Sequence, residues 1–318
     1  MHITTVIPAY KPQYLAELLG AVRRQTRLPQ HIIISDDSPN GEYRAAFFSN
    51  DMAPLRQGLS IEFIAGPRRG AYANIKHLVE VWRQRTELLH VLLDDDVIYP
   101  EFYERHWIAH ASAALSCSIS RRWQANEMGL PLMGQPVPAA VAQHPHRLLT
   151  LDAGLVFMST ALECKNWLGE FSNAVFRACV APLLLDPKMG DVSYAGLWDL
   201  GAFLAASLTA PVGYIQDHLG CFRSGGPNNS SNFFGPYMKG AHLGYAALLL
   251  GGQRIGQYSK AQVQQGLGLL AGAMAQRYGS QADMLPFIAL LPQMAAGDDL
   301  AEARFIEIWH AYLRQHGF

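Results

Sequence analysis

The chain has 318 residues, half of them hydrophobic and 16% charged, with a net charge of −1. That length suits one large domain or one domain with an appendage, and the balanced charge argues against a nucleic-acid partner, which needs a strongly basic face. The four cysteines (Cys117, Cys164, Cys179, Cys221) lie far apart with no CxxC pair, so neither a zinc ribbon nor a redox motif is expected.

The N-terminus, Met1-His2-Ile3-Thr4-Thr5-Val6, lacks the basic and then apolar pattern of a signal peptide, and a cytoplasmic location with reduced thiols is expected. Ile3–Ile7 reads as a strand closed by Pro8. Pro12–Thr26 reads as a helix, with Leu15, Leu18, Leu19 and Val22 on one face. His31–Ser35 and Ser60–Ile64 read as strands. Gly70–Arg85 reads as a helix with an Ile75, Leu78, Val79, Trp82 stripe, and His90–Leu93 as a fourth strand. Strands alternating with helices predict an α/β fold whose sheet is mostly parallel.

Further on the pattern loosens. Trp123–Arg147 holds five prolines or glycines before His144 and reads as a long loop. Leu151–Met158 reads as a strand, Ser159–Val180 as a helix, Leu197–Ser207 as a helix and Val212–Ile215 as a strand. Gly196–Ile215, with Asp199 its single charge, is apolar enough to suggest a membrane span. Thr209, Pro211 and Gly213 break it, so a buried helix, a turn and a strand are expected instead. Arg223–Asn232 reads as a loop. Four helices follow, over 237–250, 260–278, 284–294 and 299–315.

Ligands of open α/β sheets bind at the C-terminal ends of the strands. Three polar loops fall there: Pro8-Ala9-Tyr10, Asp36-Asp37-Ser38 and Asp94-Asp95-Asp96. The third is the most informative. Three adjacent carboxylates after the apolar run Val91-Leu92-Leu93 repel one another unless a cation sits among them. Oxygen clusters suit Mg²⁺ or Mn²⁺, ions often shared with a phosphorylated substrate. A solvated surface turn is the alternative.

Taken in order, these pieces resemble the inverting family-two glycosyltransferases of GT-A fold. The resemblance runs over about residues 3 to 232. It rests on Thr5-Val6-Ile7-Pro8-Ala9-Tyr10, Ile32-Ile33-Ile34-Ser35-Asp36-Asp37-Ser38, Gly70 with Asn74, and Leu93-Asp94-Asp95-Asp96-Val97. Trp198-Asp199-Leu200, Val212-Gly213-Tyr214-Ile215 and Cys221-Phe222-Arg223 complete it. It implies a Rossmann-like sheet flanked by helices in a GT-A domain over 1–235. Residues 1–100 would be the nucleotide-binding half and 101–235 the acceptor half, with a helical extension over 236–318.

The implied activity is metal-dependent transfer of a hexose or deoxyhexose, with inversion, from a UDP- or dTDP-linked donor to a glycan or lipid-linked acceptor. That places it in polysaccharide biosynthesis, in the cytoplasm or peripheral to the inner face of the membrane. The resemblance assigns the base and ribose to Pro8, Tyr10, Asp36 and Asp37, and the phosphates or donor sugar to Asn74 with Arg68 and Arg69. Asp94 and Asp96 form the DxD-like metal motif, with Asp95 between them on the donor side.

The general base that takes the acceptor's proton maps to Asp199, and the match there is close to a rhamnosyltransferase-like branch. Asp191 is the second candidate and Asp152 a third, on the acceptor side. The sequence departs from the family where relatives carry a metal-binding histidine soon after the arginine matching Arg223. Asn228, Asn229 or the upstream His218 would have to serve.

His106 and His110 have helical metal-ligand spacing but no evident third ligand, and Trp107, Trp123 and Trp167 are expected to pack rather than bind. Two other function classes compete. One is a metal-dependent nucleotidyl- or phosphoryl-transferase, disfavoured by the lack of a GxxxxGK[ST] loop. The other is a sugar-nucleotide or glycan-binding protein without turnover.

Overall fold

The computed structural model of the protein describes residues 1–225 and 231–318. The chain divides into two compact units. The first comprises Met1–Leu151, Leu168–Leu185 and Ala206–Gly225, and the second Asp152–Trp167, Asp186–Ala205 and Gly226–Phe318.

The first unit is built on a ten-stranded sheet. Its strands in chain order are β1 (Ile3–Ala9), β2 (His31–Asp36), β3 (Ile61–Ala65), β4 (Leu88–Val91), β5 (Val97–Ile98), β6 (Cys117–Ala125), β7 (Pro131–Gly134), β8 (Leu148–Leu151) and β9 (Ala174–Arg177), followed by the long strand Val212–Arg223. The spatial order is β3-β2-β1-β4-β9-β6-long strand-β5, with β7 added to β6 and β8 to the long strand. The β3, β2, β1 and β4 block is parallel, and so is the pair of β6 with the long strand. β9 and β5 run against them.

β1 is buried along its whole length between β2 and β4, which is why it is a continuous apolar and β-branched run rather than an alternating one. Proline within a central strand removes a ladder donor. Pro8 is tolerated because the β4 ladder ends at Val6, paired with Val91, and only β2 continues beside it. The helices Leu15–Arg23 and Ala71–Trp82 bury the stripes foreseen from their spacing.

Three stretches differ from the sequence reading. Residues 151–158, expected as a strand, form the helix Ala153–Ser159. Asp152 caps it by accepting the Leu155 N–H at 2.8 Å, and that cap outweighs a short apolar run with no clear period. Residues 159–180, expected as a helix, contain short 3-10 turns and β9. Gly169, at φ +111, and the Asn173 side chain, which bonds the backbone of Glu170, Leu168 and Ser120, turn the chain sharply before that strand. Residues 123–147, expected as a loop, contain the β6–β7 hairpin. Its turn is fixed by Asn126, whose Oδ1 accepts the Leu130 N–H at 3.0 Å, and by Gly129 at φ +77.

In the second unit the four C-terminal helices are Pro236–Arg254, Lys260–Tyr278, Leu285–Ala295 and Asp299–His316. They pack with the helix Ala153–Ser159 and with the hairpin Lys188–Met189/Val192–Ser193. Trp309 Nε1 donates to the Ser193 carbonyl at 2.8 Å and Tyr258 Oη to that of Phe157 at 2.7 Å. The expected helix, turn and strand over 196–215 are present as Trp198–Ser207 and the start of the long strand. Among the described residues no helix is long and apolar enough to cross a membrane.

Candidate active site

The parallel registers bring the polar loops to one edge of the first unit. Val6 pairs with Val91, so Ala9 and Asp94 come level, and Ala9 pairs with Asp36. The chain then closes the gap itself. Asp94 Oδ2 accepts the backbone N–H groups of Tyr10 and Lys11, both at 2.6 Å. Lys11 Nζ reaches Asp95 Oδ2 at 2.5 Å. Asp96 Oδ1 accepts the Arg223 N–H at 3.1 Å, and Asp96 Oδ2, buried, has no hydrogen-bond partner among the described residues.

Burial, with the charge of Asp95 second, pushes Asp94 up to about 7, against the opposing pull of the Tyr10 and Lys11 N–H groups and the Lys11 ammonium. Burial and Asp95 also raise Asp96. The consequence for stability has a definite sign. Between the ordinary carboxyl value of 3.8 and about 7 the folded state holds the Asp94 proton while the unfolded state has lost it. Stability contributed by the neutral acid is therefore complete below pH 4 and lost as pH rises to 7. The loss approaches about 1.4 kcal/mol per pH unit at most. Chemical denaturation in chelator-containing buffers across that range should show this slope, flattened when Mn²⁺ is added. A flat profile without metal would refute it.

The acidic loop after β2 is tied differently. Asp36 Oδ1 accepts from Ser38 N and Oγ, and its Oδ2 from Arg44 N at 3.1 Å. The carboxylate thus closes its own turn and caps the helix Glu42–Phe47. Asp37 accepts the N–H groups of Arg68 and Gly70, and so fixes the loop that precedes the helix Ala71–Trp82. Arg69 is exposed on that loop. Asn74 is buried, and its amide straps β2, taking the Ser35 hydroxyl at 2.5 Å and donating to the Ser35 carbonyl at 3.0 Å. Tyr10 is exposed, whereas the Tyr43 hydroxyl lies buried without a hydrogen-bond partner among the described residues. Burial first, then the charges of Asp94 and Asp36, raises Tyr43 well above its usual value.

No family model matches the sequence, and no curated protein matches it. Solved structures do. S. aureus TarS 1–349 in complex with UDP-GlcNAc superposes at a TM-score of 0.57 with 13% identity, covering 99% of this chain and 92% of that one. Its complex with UDP gives 0.58 at 12% identity, covering 100% and 92%. The mannosyltransferase PcManGT of Pyrobaculum calidifontis, in complex with GDP-Man and Mn²⁺, gives 0.52 at 12% identity, covering 95% and 75%.

The fold is GT-A-like. Within the GT-A sheet, Pro8, Tyr10, Asp94, Asp95 and Asp96 share one strand edge with the Asp36–Asp37 loop. The two candidate bases belong to the second unit. Asp199 is half-buried at the start of its helix, with Oδ1 on the Leu200 N–H at 2.7 Å. Asp191 is exposed in a hairpin turn and paired with Arg254 at 3.3 Å. Asp152 is occupied as a helix cap. Asn228 and Asn229 lie outside the described residues.

His218 stacks on Trp123, ring centroids 4.0 Å apart. Nδ1 of His106 bonds Ser118 Oγ at 2.7 Å, and Nε2 of His110 bonds the Val175 carbonyl at 3.2 Å. Both rings are buried, which lowers their basicity and keeps them neutral. Trp107 and Trp167 bond the carbonyls of Met1 and Ser159.

Three residues were not singled out from sequence. Lys11 balances Asp95. Ser172 Oγ holds the Leu93 N–H at 3.1 Å. Glu17 reaches the Arg223 guanidinium at 2.5 Å. Lys11 had a signal, as a cation beside Tyr10 at a strand end. Ser172 and Glu17 had none, because their partners lie far away in the chain.

Proposed function

We propose that the chain is an inverting, family-two glycosyltransferase of the rhamnosyltransferase-like branch, using a nucleoside-diphosphate sugar and a divalent cation. The observation that carries this reading is the buried Asp96 Oδ2, left without a hydrogen-bond partner among the described residues, at the C-terminal edge of a GT-A sheet. Among the described residues no group of three or more His, Cys, Asp or Glu is arranged to hold an ion alone. Asp96, with Asp94 beside it, would hold a cation whose other ligands would come from the donor's phosphates. When bound, such an ion offsets the charge of the departing nucleoside diphosphate.

The protein's own groups do the rest. Asp94 pins the Tyr10–Lys11 backbone, so Tyr10 is presented at the edge where the nucleotide would lie. Lys11 holds Asp95 and lessens its repulsion of its neighbours. Asp37 orders the loop carrying Arg69, which is free to meet a phosphate. Asp36 and Asn74 reach the donor through the backbone they fix, and through the acceptor capacity their internal bonds leave. Asp199 is the base that removes the acceptor proton, with Asp191 second. The acceptor is a glycan or a lipid-linked sugar. UDP and dTDP donors lead, and the GDP-Man bound to PcManGT adds GDP to the panel.

Thermal shift against nucleoside diphosphates and their sugars, with and without Mn²⁺, tests the reading. A shift that requires Mn²⁺ is expected for one base, and no shift with any of them would defeat it. Asp199→Asn should keep that shift and lower turnover by about 10²–10⁴-fold. Unchanged turnover would remove Asp199 from the base role.

A further inference from the structure

One face of β6 is polar and yet buried. Ser118, Ser120 and Arg122 follow the two-residue period that sends alternate positions to the same side of a strand. Ser118 Oγ meets His106 Nδ1 at 2.7 Å, and Ser120 Oγ donates to the Asn173 carbonyl at 3.4 Å. Arg122, 5% exposed, completes the series. Its Nε and Nη2 face the two carboxylate oxygens of Glu170, and its guanidinium lies 4.8 Å from the centroid of the Phe222 ring. Its third nitrogen, Nη1, is buried with no hydrogen-bond partner among the described residues. A donor buried in that state bears the full penalty of leaving water.

Arg122 and Asp96 line the same small cavity of about 10 Å³, and Ser172 is also on its wall. A space of about 10–15 Å³ holds one water when two to four polar partners surround it. The partners here are complementary. Arg122 Nη1 can only donate. Asp96 can accept at Oδ2, since Oδ1 is already on the Arg223 N–H. Ser172 adds a hydroxyl, itself fixed by the Leu93 N–H. One water that accepts from Nη1 and donates to Oδ2 satisfies both unpartnered atoms at once. Oδ2 keeps a further lone pair for a cation.

We propose that Arg122 is a positioning residue for Asp96, acting through one water in this cavity, with Glu170 holding the guanidinium in place. The inference rests on the reading of Asp96 as the cation's ligand and deepens it. Held at Oδ1 alone, the carboxylate can turn about its Cβ–Cγ bond, a soft torsion. A second hold at Oδ2 stops that rotation. Groups that orient a metal-binding side chain in this way set its affinity, and losing one lowers it about 10–100-fold.

The test pairs one double variant with diffraction from the unaltered protein. Arg122→Met/Glu170→Gln removes both charges together, a change that buried ion pairs tolerate. The glutamine keeps an oxygen for the cap of the turn Phe171–Asn173. In chelator its melting temperature should stay close to that of the unaltered protein. The Mn²⁺ concentration that gives half of the UDP, dTDP or GDP thermal shift should rise about 10–100-fold. Crystals of the unaltered protein should show an ordered water between Arg122 Nη1 and Asp96 Oδ2, a result that needs no variant to fold. The proposal is overturned by a dry cavity or by a direct contact of Arg122 with Asp96. It is also overturned by a double variant that melts lower but keeps its half-saturating Mn²⁺, which is what a purely structural ion pair would give. Failure of the two ideas can be told apart. No Mn²⁺-dependent shift of the unaltered protein with any of the three nucleotides counts against sugar transfer, and the positioning role falls with it. A shift whose Mn²⁺ requirement the double variant leaves unchanged counts against Arg122 alone.

Discussion

Asp96→Asn is expected to make the metal-free protein more stable and to abolish its Mn²⁺-dependent response to nucleotide. A buried carboxylate with one oxygen unpartnered among the described residues, beside a second negative charge, is costly to ionise. The amide is isosteric, carries no charge, and keeps an acceptor for the Arg223 N–H. In metal-free buffer at pH 8 a gain of about 1–3 kcal/mol follows, a rise of a few degrees in melting temperature. The same change removes the protein oxygen proposed to hold the cation, so the Mn²⁺-dependent nucleotide shift should vanish. Differential scanning fluorimetry with chelator, and then with Mn²⁺ and nucleotide, reads both halves. A destabilised variant that still responds to Mn²⁺ and nucleotide would mean that Asp96 is structural. Well below the ordinary carboxyl value of 3.8, where the carboxyl is protonated in both states, the stability gain should disappear.

Arg223→Ala is expected to cost about 3–5 kcal/mol, the range for breaking a buried, paired charge site. The guanidinium is buried and reaches the carbonyls of Asp95 and Glu127, the Glu17 carboxylate and the face of Tyr14. It thus ties the Asp94–Asp96 loop, the hairpin turn and the helix after β1 into one piece. Arg223→Lys should recover only part of the loss, because one ammonium cannot span the positions that the forked guanidinium bridges. Glu17→Gln should cost less than about 1 kcal/mol, since Glu17 is 43% exposed and solvent screens its half of the pair. Urea denaturation of the three variants gives the ranking, and an Arg223→Ala loss no larger than that of Glu17→Gln would contradict it. Because the hairpin turn hangs on Arg223, its alanine variant should also lose nucleotide affinity in proportion to how far the Asp94–Asp96 loop loosens.

The parallel half of the sheet was legible in the sequence because its signals are local. Apolar runs of strand length alternate with helical stripes, and each strand ends in a polar loop. The stretches that were misread are those where one side chain redirects the backbone: Asp152 capping a helix, Asn173 and Gly169 turning the chain into β9, and Asn126 with Gly129 closing the hairpin. Each is a single residue within an apolar or mixed run, and periodicity is blind to it.

The acidic cluster shows the same division. That Asp94, Asp95 and Asp96 stand at a strand end is written in consecutive residues. The chemical difference among them is not: Asp94 is engaged by backbone N–H groups, Asp95 by Lys11, and Asp96 retains one oxygen with no hydrogen-bond partner among the described residues. Nothing in three identical letters separates them. The distinction arises from the level register of β1 and β4, and from Arg223, which arrives from the far end of the unit. Sequence determined the fold class and the strand edge at which the polar loops gather, because short-range apolar patterning sets the elements and parallel order sets their ends. Tertiary structure alone decided which carboxylate oxygens are spent internally and which remains, because hydrogen-bond partners and desolvation come from residues distant in the chain.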